Sequence, residues 1–389
     1  MNRSILFSIA IATAVTACSG SETKSASAAN SNSAASLAQP SNTTSDTAGS
    51  AAGPTVGSGK REAGSGTAAT STGSGVIVPA SNASPDPGAK PNPNRVPNEM
   101  GRIMVLEYHL ITDHNGFYAR ERGQFRKDLE LLYDRGYRPV NMADVLDKNL
   151  NLPAGLSPVV FVFDDASPEQ FRYINNNGKL EIDPTSGVGI WLDFKKTHPD
   201  WANKGVFCLL SGANAGHNFF GDRGIQGQLS NWRFQKVKWL ADNGFELCDH
   251  TLWHAQLSKY PDPFVQEQIA RNVLAIDSAV PGYRIRSMAL PQGLWPKNRA
   301  LATKGSWTNP KTGKTVSYSW PVVFEVDGGP MRSPYDPAFN PGSTPRIQVI
   351  GNAIQQNMDR LEKSGNAYIS DGNPSVVARP ASSPTTAKK

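Results

Sequence analysis

The stretch PVVFVFDD, residues 158–165, is apolar without interruption until it ends in two aspartates. A strand with one wet face alternates polar and apolar residues, whereas an unbroken run suits a strand of a parallel sheet that is covered on both faces. KGVFCLLSG (204–212) has the same character, and RIMVLEYH (102–109), FELCDH (245–250) and RSMALPQG (286–293) are shorter runs of the same kind. Segments of helical period lie between them. RGQFRKDLELLYDRG (122–136) spaces Phe125, Leu129 and Leu132 along one face and stops at Gly136. SNWRFQKVKWLADNG (230–244) opens on the capping residues Ser230 and Asn231 and closes on Asn243-Gly244. DPFVQEQIARNVLAIDSAV (262–280) and NAIQQNMDRLEKSG (352–365) are further helices. YRPVN (137–141), VSYSWPVVFEV (316–326), RIQVIG (346–351) and NAYIS (366–370) read as further strands, and MADVLDKN (142–149) as a short helix. Strand-then-helix units in succession predict an α/β fold whose parallel sheet is closed, or nearly closed, into a (β/α) barrel.

In such a barrel, functional residues gather where strands end. Asp164 and Asp165 end one strand, His250 another, His109 a third, and Pro291-Gln292-Gly293 a fourth. Side chains alternate along a strand, so adjacent aspartates can share a site only at its end. ELCDHTLWHAQL (246–257) adds His254 four residues after His250, and the two imidazoles face one point if the strand runs straight into a helical turn. Two His and one Asp make a ligand set suited to zinc with a coordination position left open. Asp165 is the expected third ligand, which leaves Asp164 to take a proton from water. His114, His198 and His217 are read as loop or surface residues, and Trp191, Trp232 and Trp239 as core. Trp253 and Trp295 flank the candidate residues and are the expected sugar-stacking platforms. Cys208 and Cys248 fall in strands expected to be neighbours. An oxidising compartment would permit a bridge, but adjacent parallel strands seldom give its geometry, so two buried free thiols are expected.

The rest of the 389-residue chain concerns location. MNRSILFSIAIATAVTAC has a basic start at Arg3 and an apolar run from Ile5 to Val15, too short to span a bilayer and shaped like a secretory signal. Its end, VTAC, resembles a bacterial lipobox. That implies cleavage before Cys18, lipidation of the Cys18 sulfur and, with Ser19 following, passage to the outer membrane, facing periplasm or surface. An ordinary cleaved signal is the alternative. Residues 18–98 are rich in Ser, Ala, Thr, Gly and Pro and cannot bury enough surface to order themselves, so they read as a tether. The folded domain is expected over 99–375, with 376–389 as a tail. The net charge of +6 comes without a basic run interleaved with aromatics, so nucleic acid is not an expected partner. A monomer is expected.

FVFDD followed by HTLWH resembles the NodB-type polysaccharide deacetylases, carbohydrate esterase family 4, over roughly residues 100 to 372. GFELCDHT (244–251) is similar to the approach to that family's second motif. The resemblance implies a distorted (β/α) barrel of about seven strands, with Asp164 as base and Asp165, His250 and His254 as metal ligands, most naturally for zinc. It also implies an acetylated glycan as substrate. There are departures. Ala166 stands where the family has Gly, and residues 172–201 form a longer insertion. MALPQG lacks the Arg that precedes the family's third-motif Pro, although the Gln292 N–H is still available to an oxyanion. No His follows His254, so the late acidic His is missing. One branch, which includes the poly-N-acetylglucosamine deacetylases, looks circularly permuted, with that His on the first strand as Tyr-His and a third motif like Pro-Tyr-Gly. LEYH (106–109) and LPQG (290–293) are similar to that arrangement, which makes His109 the expected general acid. The expected activity is metal-dependent removal of acetyl groups from an N-acetylated glycan of the cell envelope. The alternative is an inactive, envelope-anchored glycan-binding protein of the same fold.

Overall fold

A computed structural model describes residue 92 and residues 94–213 and 217–379. The signal at 1–17, the Cys18 anchor, nearly all of the tether and the tail from 380 lie outside the described residues. No helix among the described residues is long and apolar enough to cross a membrane.

Eight parallel strands build the main sheet: β1 (Met104–Tyr108), β2 (Tyr137–Pro139), β3 (Ser157–Phe163), β4 (Val206–Leu209), β5 (Glu246–Asp249), β6 (Ser287–Ala289), β7 (Val322–Gly328) and β8 (Thr344–Gln348). Seven close into a ring. Its order is β3-β4-β5-β6-β7-β8-β1, and β1 pairs with both β8 and β3. The first strand in the chain thus closes the barrel beside the last. β2 shares an edge of β3 with β1, taking Ser157 to Val159 while β1 takes Val159 to Phe163. Six helices follow the strands: α1 (Arg122–Asp134), α2 (Met142–Leu146), α3 (Gly187–Thr197), α4 (Arg233–Asp242), α5 (Asp262–Ala279) and α6 (Ala353–Lys363).

The unbroken apolar runs are explained by two apolar surroundings. Alternate strand residues Leu106, Val159, Phe161, Phe163, Phe207 and Leu247 pack with helix residues such as Phe125, Leu129, Trp191 and Ile269. The intervening residues Val105, Val160, Val162, Val206, Cys208 and Cys248 pack with Ala289, Val322 and Phe324 across the barrel, and with Met142 and Val145 of α2. Every residue of β3 is buried. Period two therefore survives as a choice between outer and inner packing, although both faces are apolar.

Three readings need correction, and the insertion at 172–201 proves to have structure of its own. VSYSWPVVFEV is not one strand: Thr315–Ser319 pairs with Lys304–Thr308 in an antiparallel hairpin, and β7 begins only at Val322. Pro321 has no N–H for a ladder, and the chain breaks there. NAYIS makes isolated bridges, Ala367 to Arg102 and Ile369 to Asn98, and no strand. The insertion folds as a hairpin, Tyr173–Asn176 with Lys179–Ile182, and then α3, which buries Trp191. Finally, Cys208 and Cys248 form a disulfide. They are register partners on β4 and β5 and point the same way, with Cα atoms 4.2 Å apart.

That bridge closes a 40-residue separation in sequence, so it should stabilise the domain by about 3–4 kcal/mol. Denaturant unfolding with and without a strong reductant measures this. A midpoint unmoved by reductant would mean the thiols are not joined.

Candidate active site

The end of β3 separates the two aspartates. The Asp164 N–H donates to the Tyr108 carbonyl at 2.9 Å, which extends the β1 pairing by one step. The backbone then turns left-handed at Asp165 (φ 76°) and Ala166 (φ 47°). This is the position where the resembled family has Gly, and a positive φ is what Gly tolerates best. The turn sends Asp165 to the histidines and Asp164 into the barrel. Gln170, fully buried, donates through Nε2 to the carbonyls of both His109 (2.7 Å) and Asp164 (2.5 Å). It ties the ends of β1 and β3 together.

His250 follows β5 and His254 lies in the next turn. That turn is not helical: Thr251 (φ 70°) and His254 (φ 66°) are left-handed. The Thr251 hydroxyl accepts from the N–H groups of His254 (3.1 Å) and Ala255 (3.3 Å), which gives Ser or Thr a physical role after the first His. The Nε2 atoms of His250 and His254 lie 3.3 and 3.5 Å from Asp165 Oδ1. All three ligand atoms fall within 4.8 Å of one another. His250 Nδ1 is 2.9 Å from the Ala289 carbonyl, so it carries a proton and leaves Nε2 as the free ligand atom. That Nε2 is buried and faces the Asp165 carboxylate, the position a ligand atom of a shared ion would take. The residues fit a divalent metal.

The electrostatics divide the pair of imidazoles. Burial lowers the pKa of His250, but Asp164 and Asp165 outweigh it and push it up to about 9. Burial and the neighbouring His250 charge push His254 down to about 4. Burial works to raise Asp165, yet the three histidines around it hold its carboxyl well below the usual range.

A second cluster lies beside the first. Arg346, in the middle of β8 and about 1% exposed, points inward, and its Nη1 donates to Asp164 at 2.9 Å. Its Nη2 donates to Glu107 Oε1 at 3.2 Å and its Nε to the Glu325 carbonyl. Burial would raise Asp164, but the Arg346, His250 and His109 charges hold it below the ordinary value. Glu107 is pushed up to about 8 by burial, against the pull of Arg346. His109 Nε2 is 3.6 Å from Glu107 Oε1, and burial lowers its pKa. Glu107, His109 and Asp164 also lie close enough to hold an ion, but the guanidinium among them repels one.

Arg346, Glu107 and Gln170 are absent from the sequence reading. RIQVIG and VLEYH did carry a signal, since a charge inside an otherwise buried barrel strand is costly unless paired. LPQG lacks the third-motif Arg of the resembled family, and the guanidinium that meets Asp164 comes from another strand.

The remaining predicted residues stand around the site. Gln292 sits in a tight turn after β6 (φ 57°), and its side chain accepts from Gln256 Nε2 at 2.6 Å. Trp253 is half-buried against Phe264, their rings 5.7 Å apart. Trp295 donates to the Glu325 carboxylate at 3.1 Å, and Arg299 lies 3.9 Å over its ring. His114 is exposed, and His198 stacks on Phe194. His217, read as a loop residue, reaches the site: its Nδ1 is 3.1 Å from the Asp165 carbonyl.

Residues 204–305, which run from β4 past the His pair and the Gln292 turn, match the sequence model of the family described as polysaccharide deacetylase. This chain resembles the polysaccharide deacetylases. Among solved structures it is similar to a deacetylase of Streptococcus pyogenes solved with acetate (16% identity, 67% of this chain and 97% of that one, TM-score 0.46). It is also similar to a polysaccharide deacetylase from Bacillus cereus (14%, 66% and 69%, 0.46) and to IcaB from Ammonifex degensii (17%, 68% and 98%, 0.44). No curated protein sequence matches. The resemblance to polysaccharide deacetylases and the barrel agree with the expectations drawn from FVFDD and HTLWH.

The Arg346–Asp164 pair makes a stability prediction. Arg346→Met leaves a buried carboxylate without its partner and should cost about 3–5 kcal/mol at neutral pH. Asp164 has a depressed folded pKa, so its contribution is present above the unfolded value and lost as pH falls through the folded one. The gap between wild type and variant should therefore narrow below about pH 4. Urea titrations at pH 7 and pH 3.5 would expose a constant gap, which contradicts the pairing.

Proposed function

We propose that the protein is a metal-dependent deacetylase of an N-acetylated glycan in the cell envelope, held there by a lipid on Cys18. The observation that carries this reading is the grouping of three chemical functions at the ends of neighbouring strands. A proton acceptor, Asp164, is kept ionised by Arg346. Asp165, His250 and His254 form a donor set for a divalent ion. A ring nitrogen of His109 stands within 4.8 Å of an Asp164 carboxylate oxygen. A hydrolase of amides needs a base for water and an acid for the departing amine.

When bound, a divalent metal, most naturally zinc, would polarise the acetyl carbonyl and acidify a water. Asp165, His250 and His254 would hold it. Asp164 accepts the proton from the attacking water. His109 donates a proton to the sugar nitrogen as the C–N bond breaks. The Gln292 N–H is assigned to the carbonyl oxygen as its charge grows. Trp253 and Trp295 remain assigned to contact with sugar rings. His109 at the end of the first strand follows the permuted branch of the resembled family, and its nearness to Asp164 supports that assignment. The rival reading, a glycan-binding protein without activity, drew on the absence of an Arg before Pro291. Arg346 now supplies a guanidinium to Asp164, and a binder has no use for a paired base.

Asp164→Asn should lower the release of acetate from an N-acetylated glycan by about two to four orders of magnitude while bound metal stays normal. His109→Ala should do the same on an amide, whose leaving group needs a proton. Full activity in His109→Ala would remove it from the mechanism. His254→Ala should lose most of about one metal per chain; retention would exclude the ligand set.

Metal affinity should also depend on pH in a defined sense. His250 is pushed up to about 9 in the metal-free chain, so at pH 7 an incoming metal displaces one proton. Affinity should rise about tenfold per pH unit up to about pH 9. Calorimetry in buffers of different ionisation enthalpy reads the proton count, and a count of zero contradicts the ligand assignment.

A further inference from the structure

We propose that Phe117 and Tyr118 form a sugar-stacking subsite beside His109, from which the glycan chain runs along the cleft between the loop after β1 and the turn after β8. This rests on the deacetylase reading of the site. Phe117 and Tyr118 are 61% and 57% exposed, yet the loop that carries them is held firmly. Short parallel strands, Leu110–Thr112 and Ala119–Glu121, pair at its base. The Leu110 N–H donates to the Tyr118 carbonyl at 3.0 Å, and Gly116 N–H to Ala119 O at 2.8 Å. Asn115 Oδ1 accepts from the Glu121 N–H at 3.1 Å. Two aromatic rings are thus displayed to water on a pinned loop.

Their place gives the display a purpose. Tyr118 meets the His109 ring edge-on at 5.0 Å, and Phe117 meets Tyr118 at 4.7 Å. A ring stacked there lies next to the group assigned to protonate the amine, and so is the sugar adjoining the one that reacts. Glu107, His109, Tyr118, Gln348 and Val349 line a small hollow of about 10 Å³ beside these rings. Arg120 borders both this hollow and a separate cleft of about 380 Å³, which Asn115, Gln124, Asn352 and Gln355 also line. Side-chain amides there offer both donors and acceptors to hydroxyl groups, and aromatic faces offer apolar area to the C–H face of a pyranose. A concave site with aromatic walls and a few polar groups is how small ligands are generally held. By contrast, Trp253 packs on Phe264, and Trp295 has its N–H bonded and one face under Arg299. Phe117 and Tyr118 touch each other and His109 but remain more than half exposed, so their side is the better track for a polymer.

The test uses the full chain with hexamers of N-acetylglucosamine, β-1,4- and β-1,6-linked, and the N-acetylglucosamine monomer. Phe117→Ala should weaken binding of the preferred hexamer about five- to tenfold by calorimetry. It should also cut the ratio of hexamer to monomer kcat/KM. Phe117→Trp should restore both, which a folding defect would not allow. Trp253→Ala and Trp295→Ala should cost less than Phe117→Ala. Hexamer affinity unchanged in Phe117→Ala, a larger loss in either Trp variant, or no hexamer binding by wild type would each overturn the subsite. If wild type binds a hexamer, Phe117→Ala weakens it, and no acetate is released, the subsite stands and the deacetylase reading falls.

Discussion

The buried contact between Arg346 and Asp164 is the constraint on which the site depends. A carboxylate at the mouth of a barrel lined by Val105, Val162 and Phe324 would otherwise take up a proton, because burial favours its neutral form. The guanidinium reverses that preference for Asp164 and reaches Glu107 with its other arm. Glu107, with one oxygen lacking a partner, stays raised to about 8, and Asp164 stays low. Two carboxylates on one arginine are thus pushed in opposite directions. That difference separates a group able to accept a proton at neutral pH from one that helps to seat the network beside His109.

The turns around this contact carry strain. Asp165, Ala166, Thr251, His254 and Gln292 are all non-glycine residues with left-handed backbone. Such a conformation costs of order 1 kcal/mol or more each, and it survives only where the surroundings impose it. Here each has a visible consequence. The first two aim adjacent aspartates at different targets, the next two bring His250 and His254 to one oxygen, and the last makes the tight turn after β6. The closed ring supplies the rigidity, with β1, β3 and Gln170 joined at the level of the site.

Much of the barrel was legible because its physics is local. Unbroken apolar runs marked β3 and β4, and the 3.6 period marked α1, α4 and α5. What escaped depended on partners distant in sequence. Arg346 is an ordinary polar residue in TPRIQ until the ring brings it to Asp164, 182 positions away. Cys208 and Cys248 could be judged only once their register was known, and it sets them directly opposite. The hairpin before β7 was hidden inside one continuous pattern that only Pro321 interrupts. The Asp pair and the His pair were legible in another way, because turns at strand ends bring such residues together and their chemistry restricts what they can do jointly. Phe117 and Tyr118 gave no such signal, since exposure of a ring is a property of the fold.

The central claim is that these groups act together on an acetylated sugar. The most direct measurement is acetate release from N-acetylated glycans by the purified full chain, before and after chelation and again after zinc is restored. The account predicts acetate in equal amount to new free amines, loss on chelation and recovery with the metal. No acetate from any acetylated glycan by metal-loaded protein, or release indifferent to chelation, would contradict it.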